Sequence, residues 1–177
     1  VRRIEVAGNS RTRDEVIRRE FRQLESSWYD GAKIKRSRDR VQRLDFFKEV
    51  NIETQEVPGQ PDQVDLVVNV EERSTGNLLI GAGYSNAEKL SFTASIKQDN
   101  VFGSGNYLAI EANTSQSNRN LVLSTVDPYF TVDGISRAID LFYRTSSPIN
   151  SRGEEYKLVT PGAAIRFGVP FSDFDTV

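Results

Sequence analysis

Carboxylates are the only side chains in this chain with the proton chemistry that hydrolytic catalysis commonly uses, because it contains no histidine and no cysteine. Two close pairs stand out, Glu154-Glu155 and Asp173 with Asp175. Paired carboxylates divide general-acid and general-base work when their surroundings push their pKa values apart. Neither pair lies near a nucleophile motif, a glycine-rich phosphate loop or a convergent partner, so both read as solvent charges in loop or terminal sequence. No catalytic residue, metal ligand set or cofactor site is therefore expected, and missing Cys and His remove disulfides and the usual zinc sites. The chemistry that remains belongs to the backbone. The run Gly76-Asn77-Leu78-Leu79-Ile80-Gly81-Ala82-Gly83 reads as a strand with three glycines. Such a strand makes few side-chain contacts with a neighbour, and an unpaired edge offers N–H and C=O groups to any extended chain. Glycines that only relieve crowding are the alternative reading at this level.

Around that run, residues 76 onward repeat one pattern: short segments with every second residue apolar, separated by Gly, Asn, Asp, Ser and Pro. In Leu90–Lys97, Leu90, Phe92, Ala94 and Ile96 face one way and Ser91, Thr93, Ser95 and Lys97 the other. Strands are expected near 76–84, 90–98, 106–116, 120–126, 135–144 and 156–170. Tight turns alternate with longer polar loops, the layout of strands crossing a bilayer. A hydrophobic content of 37% is low for a conventional core of 177 residues but suits a barrel with a polar lumen. No apolar run approaches the roughly 20 residues of a spanning helix, so crossing is expected by strands of about 9–11 residues. A soluble β-sandwich adaptor is the alternative.

Charge divides the chain. Residues 1 to 74 hold 15 Lys or Arg and 15 Asp or Glu, while the longer remainder holds 8 and 10. This places a boundary near Arg73–Gly76, with domains at 1–74 and 75–177. The net charge of -2 gives no electrostatic case for a nucleic-acid partner. The chain opens in a strand-like run with no basic-then-apolar leader and is read as a fragment of a longer protein.

The first module is expected to run strand, helix, helix, strand, strand. Val1–Val6 is a strand ended by Gly8-Asn9. Thr12 and Glu15 have capping-box spacing, and Ile17, Phe21 and Leu24 then share one helical face. A second helix suits Ala32–Leu44, with Ile34, Val41 and Leu44 inward and Lys33, Lys35, Arg36, Arg38, Arg40 and Arg43 mostly in water. Val50, Ile52 and Thr54 alternate in one further strand, and Val64, Leu66, Val68 and Val70 in the next, beyond a Pro58–Asp62 loop. Phe46 and Phe47 join the second helix to the sheet, and two helices cover one face of three strands. The strand Val50–Glu56 reads either as a free edge able to pair with extended clients or as an edge protected by Glu53 and Glu56.

The order of elements, with Gly8-Asn9, Leu44-Asp45-Phe46-Phe47 and the final apolar strand, resembles a POTRA domain. Glu72–Gly76, Gly81-Ala82-Gly83-Tyr84, Gln98–Gly105 and Asp127–Gly134 are similar to the start of the barrel in the BamA family of outer-membrane assembly factors, and the likeness covers nearly the whole chain. The fold this implies is an α+β POTRA domain (β-α-α-β-β) followed by about six strands of an antiparallel transmembrane β-barrel.

That resemblance implies a Gram-negative outer-membrane protein with its POTRA domain in the periplasm, which assembles and inserts β-barrel proteins and is not an enzyme. Unfolded outer-membrane proteins, lipoprotein subunits of an assembly machine and the lipid bilayer are the implied partners. Gly76–Gly83 would template a client strand. Arg18, Arg22 and Glu25 would dock a lipoprotein, an ordinary charged helix face being the alternative, and Val50, Ile52, Glu53 and Thr54 would form the POTRA edge strand. A POTRA-barrel secretion pore is the rival within the same architecture. Within this barrel frame Tyr84, Tyr143 and Tyr156 are expected at the outer rim and Phe102, Tyr129, Phe130 and Phe171 at the inner one. Arg137 and Pro161 fall on the lipid side and Val122 and Phe142 on the lumen side, with Pro161 expected to make a bulge or irregular edge. Six strands leave both sheet edges open, which predicts aggregation, dimeric pairing or dependence on detergent.

Overall fold

The computed structural model describes residues 1–148 and 152–172, and they form two compact units. The first comprises Val1–Thr75 together with Phe102–Gly105. Its elements are β1 (Arg3–Ala7), α1 (Asp14–Arg18), α2 (Gly31–Arg43), β2 (Phe47–Val57) and β3 (Gln60–Glu72). The three strands lie in the order β1-β3-β2, with β1 parallel and β2 antiparallel to the central β3.

Period-two patterning decides which face the helices cover. Ile4, Val50, Leu66, Val68 and Val70 point to the same side and pack with Val16, Ile17, Phe21, Val41, Phe46 and Phe47 in one buried core. Gly8 ends β1 at φ +90, and a Cβ there would sit 2.0 Å from the Val70 carbonyl oxygen, so only glycine fits both the torsion and the space. Asp30 caps α2 by accepting from the N–H groups of Ala32 and Lys33 at 2.9 and 3.2 Å. In Phe102–Gly105, the Gly103 carbonyl accepts the Arg13 N–H at 3.0 Å.

Four expectations for this unit change. Thr12 and Glu15 form no capping box: the N-cap is Arg13, with no side-chain bond, and Thr12 is buried with its N–H given to Glu72 instead. The first helix stops at Arg18, so Phe21 is buried from a turn while Leu24 lies 66% exposed. Arg40 leaves the solvated face of α2 to meet buried Glu20 at 2.8 Å. The chain from 23 to 30 is organised by Gln23, whose buried amide donates to Ser27 Oγ and the Trp28 carbonyl and accepts from the Asp30 N–H. Between β2 and β3 the turn is shorter than expected, with Pro61 and Asp62 already in β3.

The second unit is a six-stranded antiparallel sheet: β4 (Gly76–Ser85), β5 (Lys89–Gln98), β6 (Tyr107–Thr114), β7 (Asn118–Asp127), β8 (Ser136–Ser146) and β9 (Leu158–Gly168), paired in chain order. Strand lengths of 8 to 11 residues match a bilayer crossing by tilted strands. Register aligns Leu78, Ile96, Ile110, Leu123, Leu141 and Ala163 in one row across the sheet. On that face Leu78 and Ile80 are 64% and 75% exposed, Ile96, Leu141 and Ile165 are also exposed, and Ile110 and Leu123 are half-buried. A sandwich would bury that row under a second layer.

The opposite face carries Ser95, Lys97, Glu111, Ser124, Asp140 and Arg166, with ion pairs Lys97–Glu111 at 3.2 Å and Arg166–Asp140 at 2.6 Å. Val122 and Phe142 belong to this face, as expected, and Phe142 fills the space beside Gly162, where a Cβ would lie 2.0 Å from the ring. Arg137 sits on the apolar face at an end of β8 and lies 4.4 Å from the Phe130 ring centre, a cation–π contact. Pro161 makes no bulge. It pairs with Tyr143 in unbroken register on β9, the last strand of the sheet among the described residues, where a missing donor on the unpaired side is tolerated.

Candidate client-strand interface

Three sheet edges bear on strand pairing, and they differ in how their backbone groups are held. The first is β4, which pairs with β5 from Gly76↔Gln98 to Ser85↔Lys89 and has no strand on its other side among the described residues. Leu78, Ile80 and Ala82 lie on the apolar face, and Asn77, Leu79, Gly81 and Gly83 on the polar one. A Cβ on Gly81 would meet nothing within 4 Å and one on Gly83 only the Ser91 hydroxyl at 3.2 Å. Crowding within this sheet therefore does not demand glycine at position 81.

The second edge is β1, and side chains clasp its backbone at Ile4. Glu25 Oε1 accepts the Ile4 N–H at 2.8 Å, and the Arg18 guanidinium donates to the Ile4 carbonyl at 2.8 Å. Arg18 and Glu25 also approach each other at 3.4 Å, and Arg18 is anchored to Asp14 at 2.9 Å. That bond to Asp14 is the main reason the guanidinium is held above its ordinary pKa, against the cost of partial burial. Next to this clasp the Val1 amine donates to the Ser27 carbonyl and the Ser26 N–H to the Val1 carbonyl at 2.8 Å. Of the residues expected to dock a lipoprotein, Arg18 and Glu25 are thus brought together on β1. Arg22 is half-buried nearby, its N–H given to Ser37 Oγ at 2.8 Å.

The third edge is β2. Val50 is buried, Ile52 packs partly on the core, and Glu53 and Thr54 are exposed. Beside it an open groove of about 480 Å³ is lined by Tyr29, Gly31, Ile34, Lys35, Arg38, Asn51 and Ile52. Sequence reasoning found the strand but missed the groove; the shared i-to-i+4 placement of Ile34 and Arg38 on α2 was the available signal.

Glu72, at the end of β3, organises the loop after β1. Its carboxylate accepts from the Ser10 hydroxyl at 2.9 Å and from the N–H groups of Arg11 and Thr12 at 3.0 and 2.6 Å. Burial opposes its charge, but bonds from Thr12, Ser10 and Arg11 outweigh that and hold its pKa below the ordinary value. Glu154 and Glu155 lie exposed, and Asp173 and Asp175 fall outside the described residues. Among the described residues no cluster of carboxylates has metal-binding geometry.

Two family models match the chain: POTRA, the surface antigen variable number repeat, over residues 1–73, and the Omp85 superfamily domain over residues 100–177. The outer membrane protein assembly factor BamA of Neisseria meningitidis serogroup B is 42% identical over 179 residues, covering 100% of this chain and 22% of that protein. The chain therefore carries a POTRA domain followed by an Omp85 superfamily domain. Its structure matches BamA from Haemophilus ducreyi lacking POTRA domains 1-3 with a TM-score of 0.82 and 33% identity, over 99% of this chain and 33% of that one. CdiB from Escherichia coli shares the fold at a TM-score of 0.58 and 16% identity, over 94% of this chain and 32% of that one. The chain spans about a fifth of the length of the BamA relatives it matches, 22% in each of the first two. In Omp85 terms it holds a POTRA domain and six barrel strands, the architecture that patterning and motifs anticipated.

Proposed function

We propose that this chain is part of an outer-membrane assembly factor that folds and inserts β-barrel proteins, with the six-stranded sheet in the membrane and the POTRA domain in the periplasm. The observation that carries the reading is β4: a glycine-containing strand at the end of a sheet whose apolar face is uncovered. Gly76–Gly83 templates an incoming strand of an unfolded outer-membrane protein, so that the client backbone is hydrogen-bonded as it enters lipid, where each unsatisfied group costs several kcal/mol. No covalent chemistry is involved.

The POTRA domain contributes two surfaces. Arg18, Arg22 and Glu25 dock a lipoprotein subunit, and Val50, Ile52, Glu53 and Thr54 of β2 pair transiently with extended clients. The boundary between the functional parts lies at residues 74 and 75.

Photocrosslinking in the full-length membrane protein tests the central step. A crosslinker at Asn77 or Gly81 is expected to capture the terminal strand of a stalled client. Crosslinks confined to polar-face positions away from β4, such as Glu111 and Asp140, would instead support a secretion pore. Glu25→Gln keeps an acceptor for Ile4 but removes the charge, so weaker lipoprotein co-purification with an intact fold is the expected mark of docking.

A further inference from the structure

The β2 edge has two sides of opposite character. Toward α2 lie the apolar walls of the groove, Tyr29, Ile34 and Ile52, with Lys35 and Arg38 at its margin. Away from α2, alternate β2 residues put Glu49 and Glu53 on the outer face of the sheet, in register with Glu71 and Val67 of β3. Lys48 reaches Glu71 at 2.8 Å in an exposed, weak pair, while Glu49 and Glu53 take part in no ion pair among the described residues. Arg38 reaches Asp39 at 3.2 Å, but both side chains are more than two-fifths exposed, so that pair is weak and exchangeable.

An added strand shows its residues alternately to these two sides. We infer that the β2 edge selects an extended segment by the sidedness of its charges: apolar and acidic residues toward α2, basic residues toward the outer face. An apolar side chain occupies the groove over Ile34 and Ile52, and carboxylates on either side of it meet Lys35 and Arg38. Cations on the other side meet Glu49 and Glu53. A segment with the reverse sidedness places like charges together on both sides, and a slip of one residue to relieve them takes its apolar residue out of the groove. Glu53 is then part of the selection, which unites the pairing and protecting roles of this edge. The partner is an extended polypeptide of that pattern. The competing edge does not serve, because the clasp of Arg18 and Glu25 occupies the Ile4 backbone on β1.

This inference rests on the proposal that β2 pairs with extended clients, and its test separates the two. Two heptapeptides of identical composition serve as probes: Thr-Glu-Lys-Leu-Lys-Glu-Thr, with carboxylates on the leucine side, and Thr-Lys-Glu-Leu-Glu-Lys-Thr, with the sides exchanged. The whole chain in detergent micelles, carrying a nitroxide on Asn51→Cys, reports binding through relaxation enhancement of the peptide protons. The first peptide is expected to bind roughly fivefold more tightly at low salt, the scale of a few exposed charge pairs. The Lys35→Glu, Arg38→Glu double variant should lose or reverse that preference, with its fold checked by amide exchange in β3. Equal binding of the two peptides, or a preference untouched by the double variant, overturns the sidedness and leaves strand pairing standing. Failure of both peptides to approach residue 51 overturns both.

Discussion

Leu66 and Val68 in β3 are fully buried, whereas Leu78 and Ile80 in β4, placed in the same alternating pattern, are 64% and 75% exposed. The small sheet supplies its own cover, because α1 and α2 present Val16, Ile17 and Val41 to its apolar face. Among the described residues the six-stranded sheet has no such layer, and its exposed apolar face suits an outside solvent of hydrocarbon. Alternation thus specifies a strand with two faces; it is the presence or absence of an amphipathic helix nearby that specifies what the apolar face meets.

Substitutions sharpen this contrast by costing stability in one unit and not in the other. Phe47→Ala should have the largest effect, about 3–5 kcal/mol, since the ring is 1% exposed and leaves a cavity the helices cannot fill. Amide exchange would then accelerate through β2 and β3 while β5 to β8 keep their protection. Equal acceleration in both sheets would break the comparison. Ile80→Arg should cost about 2–4 kcal/mol for insertion into vesicles if its position lies near the bilayer midplane. The same change should leave exchange in the first unit unaltered, as a folding titration with increasing lipid would show.

A smaller effect separates packing within the second unit from solvation by lipid. Gly162→Val meets the Phe142 ring and should cost about 1–3 kcal/mol in detergent and in bilayer alike. Glu72→Gln has the smallest expected effect, about 1 kcal/mol from weakened charge-assisted bonds to Ser10, Arg11 and Thr12. Because the Glu72 pKa is depressed in the fold, its contribution is complete above the ordinary glutamate range and disappears as pH falls through the depressed value. The variant should lack that part of the acid-side loss in a denaturant series from neutral to acidic pH.

The strands were legible because a period of two is read directly from neighbouring residues, and every barrel strand falls close to its expected bounds. The weak points were local irregularities governed by partners distant in the chain. Ile17, Phe21 and Leu24 have helical spacing, yet the helix ends after Ile17-Arg18, where Glu20 turns inward to Arg40 and Gln23 becomes the buried organiser of the following loop. Nothing in a linear pattern marks that pairing, twenty positions apart. The candidate site was legible as strands and glycines. The clasp on Ile4 was not, since it depends on Arg18 and Glu25 reaching the same backbone residue from a helix and a loop.

That clasp limits how far the small sheet can grow. Fibrils need each unit to recruit on one side and be recruited on the other, and a layer closed along one border while open along its opposite has only a single vacancy. A guest can be accepted and released, but the guest's arrival builds no ladder from one copy of this domain to the next. Crowded together at high local density, such domains remain separate receivers.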